Sequence, residues 1–363
     1  MQNVINVLVF MLVLGSIIAI HEFGHFIAAK YFDVYCSHFS IGFGPRLFSK
    51  KGKETEYEIR ALPIGGFVSM AGEADQEEVE EMKDVPLERT LKGKKTYQKV
   101  IIFLAGVFMN FVLAVIVLFA SNLMAGQVPV DRVQIDAVEN QTPAAQYGLK
   151  ANDIIEKIYV KDSKKTILID SYETFSSSLT KENFGTTDDH PLVTVQVKRE
   201  NESKNIDMKL QFNEQTQNYY FGIVFKTRRM SFIESITYTV TDVKEMSTSI
   251  VDALRLLVVN FASTVKQLSG PAGIYQVTAQ VTETGQVASI FRLVGLLSIN
   301  IGIFNLLPIP GLDGCQVLFA VVERIIGKEL PQKLKLILQM VGLGLVLLLM
   351  FFVTYQDLMR IFG

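Results

Sequence analysis

From Val4 to Ile20 the chain carries no charged side chain, and apolar character resumes at Phe26 through Ala29. Such a run is long enough to cross a bilayer as one helix, and a helix is the form that satisfies its own backbone in hydrocarbon. Ile20-His21-Glu22-Phe23-Gly24-His25-Phe26 places two imidazoles and a carboxylate in that run. Ionisable groups at this depth are costly unless paired, hydrated or bound to something, and they read as a functional site. His21 and His25 are four apart, so on a helix both rings share one face with Glu22 beside them. This is the H-E-x-x-H arrangement, in which two imidazoles bind zinc and the carboxylate serves as general base. The bland alternative, satisfied helix polars, is poor here because lipid-facing groups of this kind forfeit solvation on the order of several kcal/mol.

Composition fits a chain part embedded and part globular, with 49% hydrophobic and 20% charged residues and a mean hydropathy of +0.29. A net charge of -2 gives no reason to expect nucleic acid as a partner. Cys36 and Cys315 are far apart and form no C-x-x-C pair, so neither a disulfide framework nor a thiolate zinc site is indicated. A cleaved signal peptide is not expected, because Met1-Gln2-Asn3 lacks a basic region and no small-residue pattern precedes His21.

Residues 1–30 then form a first span and 31–99 a polar connection on the cytoplasmic side. Alternating apolar residues bounded by Gly and Pro, in Tyr57 through Met70, favour short strands. A sheet edge beside a membrane site can pair with an extended peptide, which makes Gly65, Gly66, Phe67 and Val68 candidate substrate-binding residues. An ordinary cytosolic hairpin is the alternative. The run Glu73 to Glu88 reads as a solvated acidic loop. Residues 100–126 make a second span, in which Gly106 permits close helix approach and Asn110 seeks a partner, either at the metal helix or as interhelical glue.

Residues 127–226 have the texture of a soluble domain. Val193, Val195 and Val197 alternate with Thr194, Gln196 and Lys198 at the period of a strand. Thr142 through Ile155 reads as a short helix, a glycine turn and a strand entered through Asn152-Asp153, with Asn152 suited to a left-handed conformation. This stretch resembles a PDZ domain, which implies a groove able to capture an extended peptide ligand.

Residues 227–288 contain an amphipathic helix, with Ile236, Val240, Val243, Met246, Ile250 and Leu254 at helical spacing, lying on the membrane surface or against the soluble domain. Residues 289–325 hold a third apolar segment that two prolines and a glycine break at Asn305 through Gly314. Broken helix at membrane depth requires protein or water around it, and Asp313 there is a candidate third zinc ligand or a helix cap. Asn305 is a candidate oxyanion donor or a packing residue. Residues 326–363 complete the chain with a loop and a fourth span. Lys92, Lys94, Lys95 and Lys99, with Arg324, Lys328, Lys333 and Lys335, mark their loops as cytoplasmic, which puts both termini and the soluble domain outside. His21, Glu22 and His25 then lie toward the cytoplasmic side of the membrane. The expected fold class is a polytopic α-helical membrane protein of about four transmembrane helices, with a membrane-associated β-element and an inserted α+β PDZ-like extracytoplasmic domain.

Several motifs in order carry a wider resemblance: His21-Glu22-Phe23-Gly24-His25, Gly42-Phe43-Gly44-Pro45, Pro63-Ile64-Gly65-Gly66, Gly106 to Asn110, Ser269-Gly270-Pro271-Ala272-Gly273-Ile274, and Asn305 through Gly314. Over nearly its whole length the chain resembles the bacterial site-2 proteases, intramembrane zinc metalloproteases that include the regulator-of-sigma-E proteases. The resemblance implies Zn2+ held by His21, His25 and Asp313 with Glu22 as the base; in the mechanism these residues suggest, Asn305, together with Asn110, stabilises the oxyanion. The resemblance also implies that the first-loop strands present substrate, and that the substrates are single-span membrane proteins in the lipid bilayer. These would be anti-sigma-factor-like regulators and remnant signal peptides. Cys315-Gln316 stands where Gly-His is common, and one PDZ-like domain stands where some members carry two. A membrane-anchored PDZ scaffold with a structural or vestigial metal site is the rival reading, and it has no use for Glu22. An ion-path transporter lacks supporting inverted repeats.

Overall fold

A computed structural model describes residues 2–73, 82, 84–214, 216–265 and 270–362. The chain divides into two compact units: one comprises the chain up to Met124 together with that from Ile233 onward, and the other is Ala125–Phe232.

The first unit opens with α1 (Gln2–Tyr31), followed by β1 (Cys36–Lys51), β2 (Glu56–Met70) and α2 (Thr96–Ala125). β1 and β2 form an antiparallel pair with repeated register shifts, which bend and twist a long hairpin. Its apolar side chains Phe39, Val68 and Met70 bury with Cys36 against Phe26 and Ala29 of α1 and Ile102 and Phe103 of α2. The hairpin is thereby fixed to the end of α1 that carries the histidines. Of the acidic run from Glu73 to Glu88, residues 74–81 and 83 lie outside the described residues.

The second unit contains β3 (Gln127–Pro129), β4 (Ile135–Val138), α3 (Pro143–Gln146), β5 (Ile154–Val160), β6 (Lys165–Leu168), α4 (Tyr172–Ser178) and α5 (Lys181–Phe184). It continues with β7 (Leu192–Arg199), β8 (Glu202–Lys209), β9 (Gln211–Asn213), β10 (Asn218–Tyr220), β11 (Ile223–Phe225) and β12 (Thr227–Arg229). A four-stranded antiparallel sheet runs β6-β5-β7-β8, with two-stranded ladders of β4 with β11, β3 with β12 and β9 with β10. The alternating valines are the inner face of β7: Val193, Val195 and Val197 are buried beside Ile155, Ile158 and Phe184. Asn152 adopts φ 69° and leads into β5. The carboxylate of Asp153, fully buried, accepts from Arg199 Nε at 2.6 Å and from Lys150 N at 2.9 Å, tying the turn to β7.

The first unit resumes with α6 (Phe232–Val259), α7 (Phe261–Thr264), α8 (Pro271–Glu283), α9 (Val287–Asn305), α10 (Asp313–Ile326) and α11 (Gln332–Phe362). The amphipathic helix expected on the membrane surface or against the soluble domain is α6, and it does something else. Its Val243, Met246, Ile250 and Leu254 pack on Ala114 and Leu118 of α2 and Ile299 and Ile303 of α9. Polar contacts reinforce that seam, with Asn122 of α2 donating to Asp242 at 2.9 Å and Arg292 of α9 pairing with the same carboxylate at 2.8 Å. Val13 and Ile17 of α1 pack on Leu293, Val294 and Leu297 of α9. Asp357 near the end of α11 accepts from the backbone N–H of Gly270 and Gly273, each at 2.8 Å, satisfying donors at the start of α8. Ser269 of the glycine-proline motif lies outside the described residues. Among the described residues, four helices are long and apolar enough to cross a membrane: Gln2–Tyr31, Thr96–Ala125, Val287–Asn305 and Lys333–Asp357.

Candidate metal centre

Helical spacing puts His21 and His25 one above the other on α1, and both are buried. Their Nε2 atoms are 3.2 Å apart. Asp313 arrives from far along the chain: α9 ends at Asn305, the segment with Pro308, Pro310 and Gly311 is not helical, and α10 restarts at Asp313. Its Oδ2 stands 3.0 Å from His21 Nε2 and 3.4 Å from His25 Nε2. Four-coordinate zinc with bonds of about 2.0–2.1 Å has ligand–ligand edges of roughly 3.3 Å, and the three separations match that edge.

The donor chemistry fits a cation as well. His25 Nδ1 donates to the carbonyl of Ile102 at 2.8 Å, so a neutral ring offers a lone pair at Nε2. That lone pair faces another ring nitrogen and the Asp313 Oδ2, a buried atom with no hydrogen-bond partner. Three electron-rich atoms converging on one point repel unless a positive charge lies between them.

The second span makes this convergence sterically feasible. A Cβ at Gly106 would overlap His25 Nε2 and crowd His21, and one at Gly24 would overlap the carbonyl of Ala105. Bare backbone on both helices therefore lets α2 lie directly against the imidazoles. Asn110, fully buried, places Nδ2 3.3 Å from His21 Nδ1, while Asn305 places Nδ2 3.5 Å from His21 Nε2 on the Asp313 side.

Glu22 shares a cavity of about 220 Å³ with His21, His25 and Asp313. Phe67, Val68 and Met70 of β2 line it, together with Phe103, Glu73 and Gln316. Gly66 abuts the stem of Glu22, since a Cβ there would stand 3.2 Å from Glu22 Cγ. Gly65 lies under the ring of Phe43, which occupies the space a side chain would need.

The structure thus brings His21, Glu22, His25 and Asp313 together, with Asn110 and Asn305 on opposite nitrogens of His21 and Gly66, Phe67 and Val68 alongside, whereas Gly65 sits against the Phe43 ring. Glu73, expected in a solvated loop, lines the cavity instead. Phe103 and the carbonyl of Ile102 were not anticipated: a backbone acceptor leaves no mark on residue identity, and Phe103 reads as one more apolar residue of a span. The sequence marks Gln316 only as an unusual neighbour of Asp313; one turn further on α10, it falls on the same face.

Two imidazoles and a carboxylate converging between membrane-spanning helices, with a second carboxylate in the same cavity, define a membrane zinc metallopeptidase. The chain belongs to peptidase family M50, the site-2 proteases, whose profile matches residues 9–349. The regulator of sigma-W protease RasP of Bacillus subtilis is 30% identical over 434 aligned positions, covering 98% of this chain and 99% of that protein. The zinc metalloprotease RasP of Bacillus licheniformis is 30% identical over 435 positions with the same coverage. A protein of Fusobacterium nucleatum whose name carries the words zinc metalloprotease is 35% identical over 359 positions, covering 98% of this chain and 99% of its own length.

Proposed function

We propose that this protein is an intramembrane zinc endopeptidase that cleaves the transmembrane segments of single-span membrane proteins, anti-sigma-factor-like regulators and remnant signal peptides among them. The observation that carries the reading is the shared cavity, which joins Glu22 to the three converging donors between spanning helices. His21, His25 and Asp313 hold the metal. When bound there, Zn2+ supplies Lewis-acid polarisation of a scissile carbonyl and lowers the pKa of water.

Glu22, which contributes no ligand atom, takes the proton of the attacking water and returns it to the leaving amine. Asn305, its amide on the Asp313 side of His21, donates to the oxyanion as it develops. A membrane helix hides its carbonyls in its own hydrogen bonds, so substrate must be unwound before attack. Gly65, Gly66, Phe67 and Val68 suit that task, because β2 brings Gly66 against the stem of Glu22 while Phe67 and Val68 line its cavity, with Gly65 next in the strand.

The basic loops at Lys92 to Lys99 and Arg324 to Lys335 favour a cytoplasmic position for both and an extracytoplasmic position for the termini and for the unit Ala125–Phe232 in a bacterial plasma membrane. That unit is PDZ-like in our reading, supported by its antiparallel sheet with short helices and by the turn into β5, and it takes an extended peptide end. The deciding experiment compares wild type with Glu22→Gln for zinc content and for cleavage of a reconstituted single-span protein. The variant should retain zinc and lose cleavage; undiminished cleavage by the variant removes Glu22 as the base, and a wild type that binds the single-span protein without cleaving it ends this reading in favour of a binding protein.

A further inference from the structure

Two hydrogen-bond partners on α2 bracket the gap at Gly106. Ile102, Gly106 and Asn110 are each four apart, so they form one stripe along the helix. This stripe faces His25 and His21, themselves four apart on α1. Ile102 serves His25 through its carbonyl oxygen at 2.8 Å. Asn110 meets the corresponding atom of His21, Nδ1, at 3.3 Å.

The chemistry of that second contact is constrained. His21 turns Nε2 toward Asp313 and His25, and a neutral ring that offers a lone pair there carries its proton on Nδ1. The proton requires an acceptor, which an amide nitrogen cannot be. The carboxamide of Asn110, drawn with nitrogen facing the ring, leaves its own Oδ1 buried with no hydrogen-bond partner. The two ends of an Asn amide are assigned by their hydrogen bonds, and a half-turn exchanges them. After that turn the oxygen accepts from Nδ1–H.

We infer that Asn110 is a positioning residue whose carboxamide oxygen accepts the His21 Nδ1–H, fixing the tautomer and ring plane in which Nε2 meets the metal. The inference rests on the ligand role proposed for His21. It moves Asn110 away from the oxyanion, for Asn110 contacts the nitrogen opposite Asp313 and does not line the cavity of Glu22. Ser298 Oγ, donating to the Asn110 carbonyl at 2.8 Å, holds this part of α2 to α9.

The test measures zinc affinity by chelator competition on the full-length protein in detergent, for wild type, Asn110→Leu, Asn110→Asp and His21→Ala. Loss of the acceptor in Asn110→Leu should weaken zinc binding roughly 10–100-fold, as removal of an outer-shell partner does. Asn110→Asp has only acceptor oxygens and should bind zinc at least as tightly as wild type, an outcome an N–H-donating role does not give. Tenfold weaker binding by Asn110→Asp, or wild-type affinity in Asn110→Leu, overturns the inference. Wild-type affinity in His21→Ala instead overturns the ligand assignment beneath it, and the two failures are thereby told apart.

Discussion

His25 Nδ1 donates to the main-chain carbonyl of Ile102 at 2.8 Å, so a ring on the first span is oriented by backbone of the second. That contact exists only because Gly106 leaves room for the rings. Gly106→Ala should force the helices apart or displace both imidazoles, and we expect zinc affinity to fall at least roughly tenfold by chelator competition. A variant with unchanged affinity contradicts the packing argument.

Asp313 supplies the only negative charge among the three donors. Asp313→Asn keeps the shape but loses that charge, and it should reduce bound zinc per chain measured by atomic absorption. In wild type, chelation should abolish peptidase activity and added Zn2+ should restore it.

The Asp153–Arg199 pair joins Asp153, fully buried, to β7. Asp153→Ala strands the guanidinium beside a lost partner and removes the acceptor of Lys150 N, costing about 3 kcal/mol. Hydrogen exchange of β7 amides in the intact protein should accelerate correspondingly, while exchange in α1 and α2 stays unchanged.

Burial pushes the Tyr219 hydroxyl up to about 12, with Asp188 and Asp189 nearby adding to the shift. An unfolded tyrosine titrates near about 10, so below that pH both states are neutral and the contribution is fully present. Between about 10 and 12 the unfolded chain ionises first and stability of the Ala125–Phe232 unit falls. Tyr219→Phe should flatten that alkaline loss in denaturant titrations, and an identical slope in both proteins refutes the assignment.

Cys36 is buried in β1, and burial raises its thiol to about 12. Thiolate is the reactive form, so iodoacetamide at neutral pH should leave Cys36 unmodified in the folded protein and label it after denaturation, as read by peptide mass spectrometry.

The spans were legible because hydrocarbon demands apolar length, a property each segment carries on its own. The valine alternation of β7 and the turn at Asn152 were legible for a similar reason, being local patterns of period and backbone conformation. The placement of α6 was not. Its apolar stripe records that one face is covered, not what covers it, and the cover proved to be α2 and α9. The same limit hid Glu73, whose acidity suggested solvent although it lines the cavity of Glu22.

What the sequence determined by itself was the pair of histidines on one helix face, the carboxylate between them, and the break that frees Asp313 from a continuous span. Each follows from spacing within a few residues. Only the tertiary structure decided that Asp313 meets the histidines at 3.0 and 3.4 Å, that Ile102 orients His25, and that Asn110 stands behind His21 while Asn305 stands before it. Those relations depend on how closely α1, α2 and the start of α10 approach, which packing at Gly24 and Gly106 sets and no local pattern encodes.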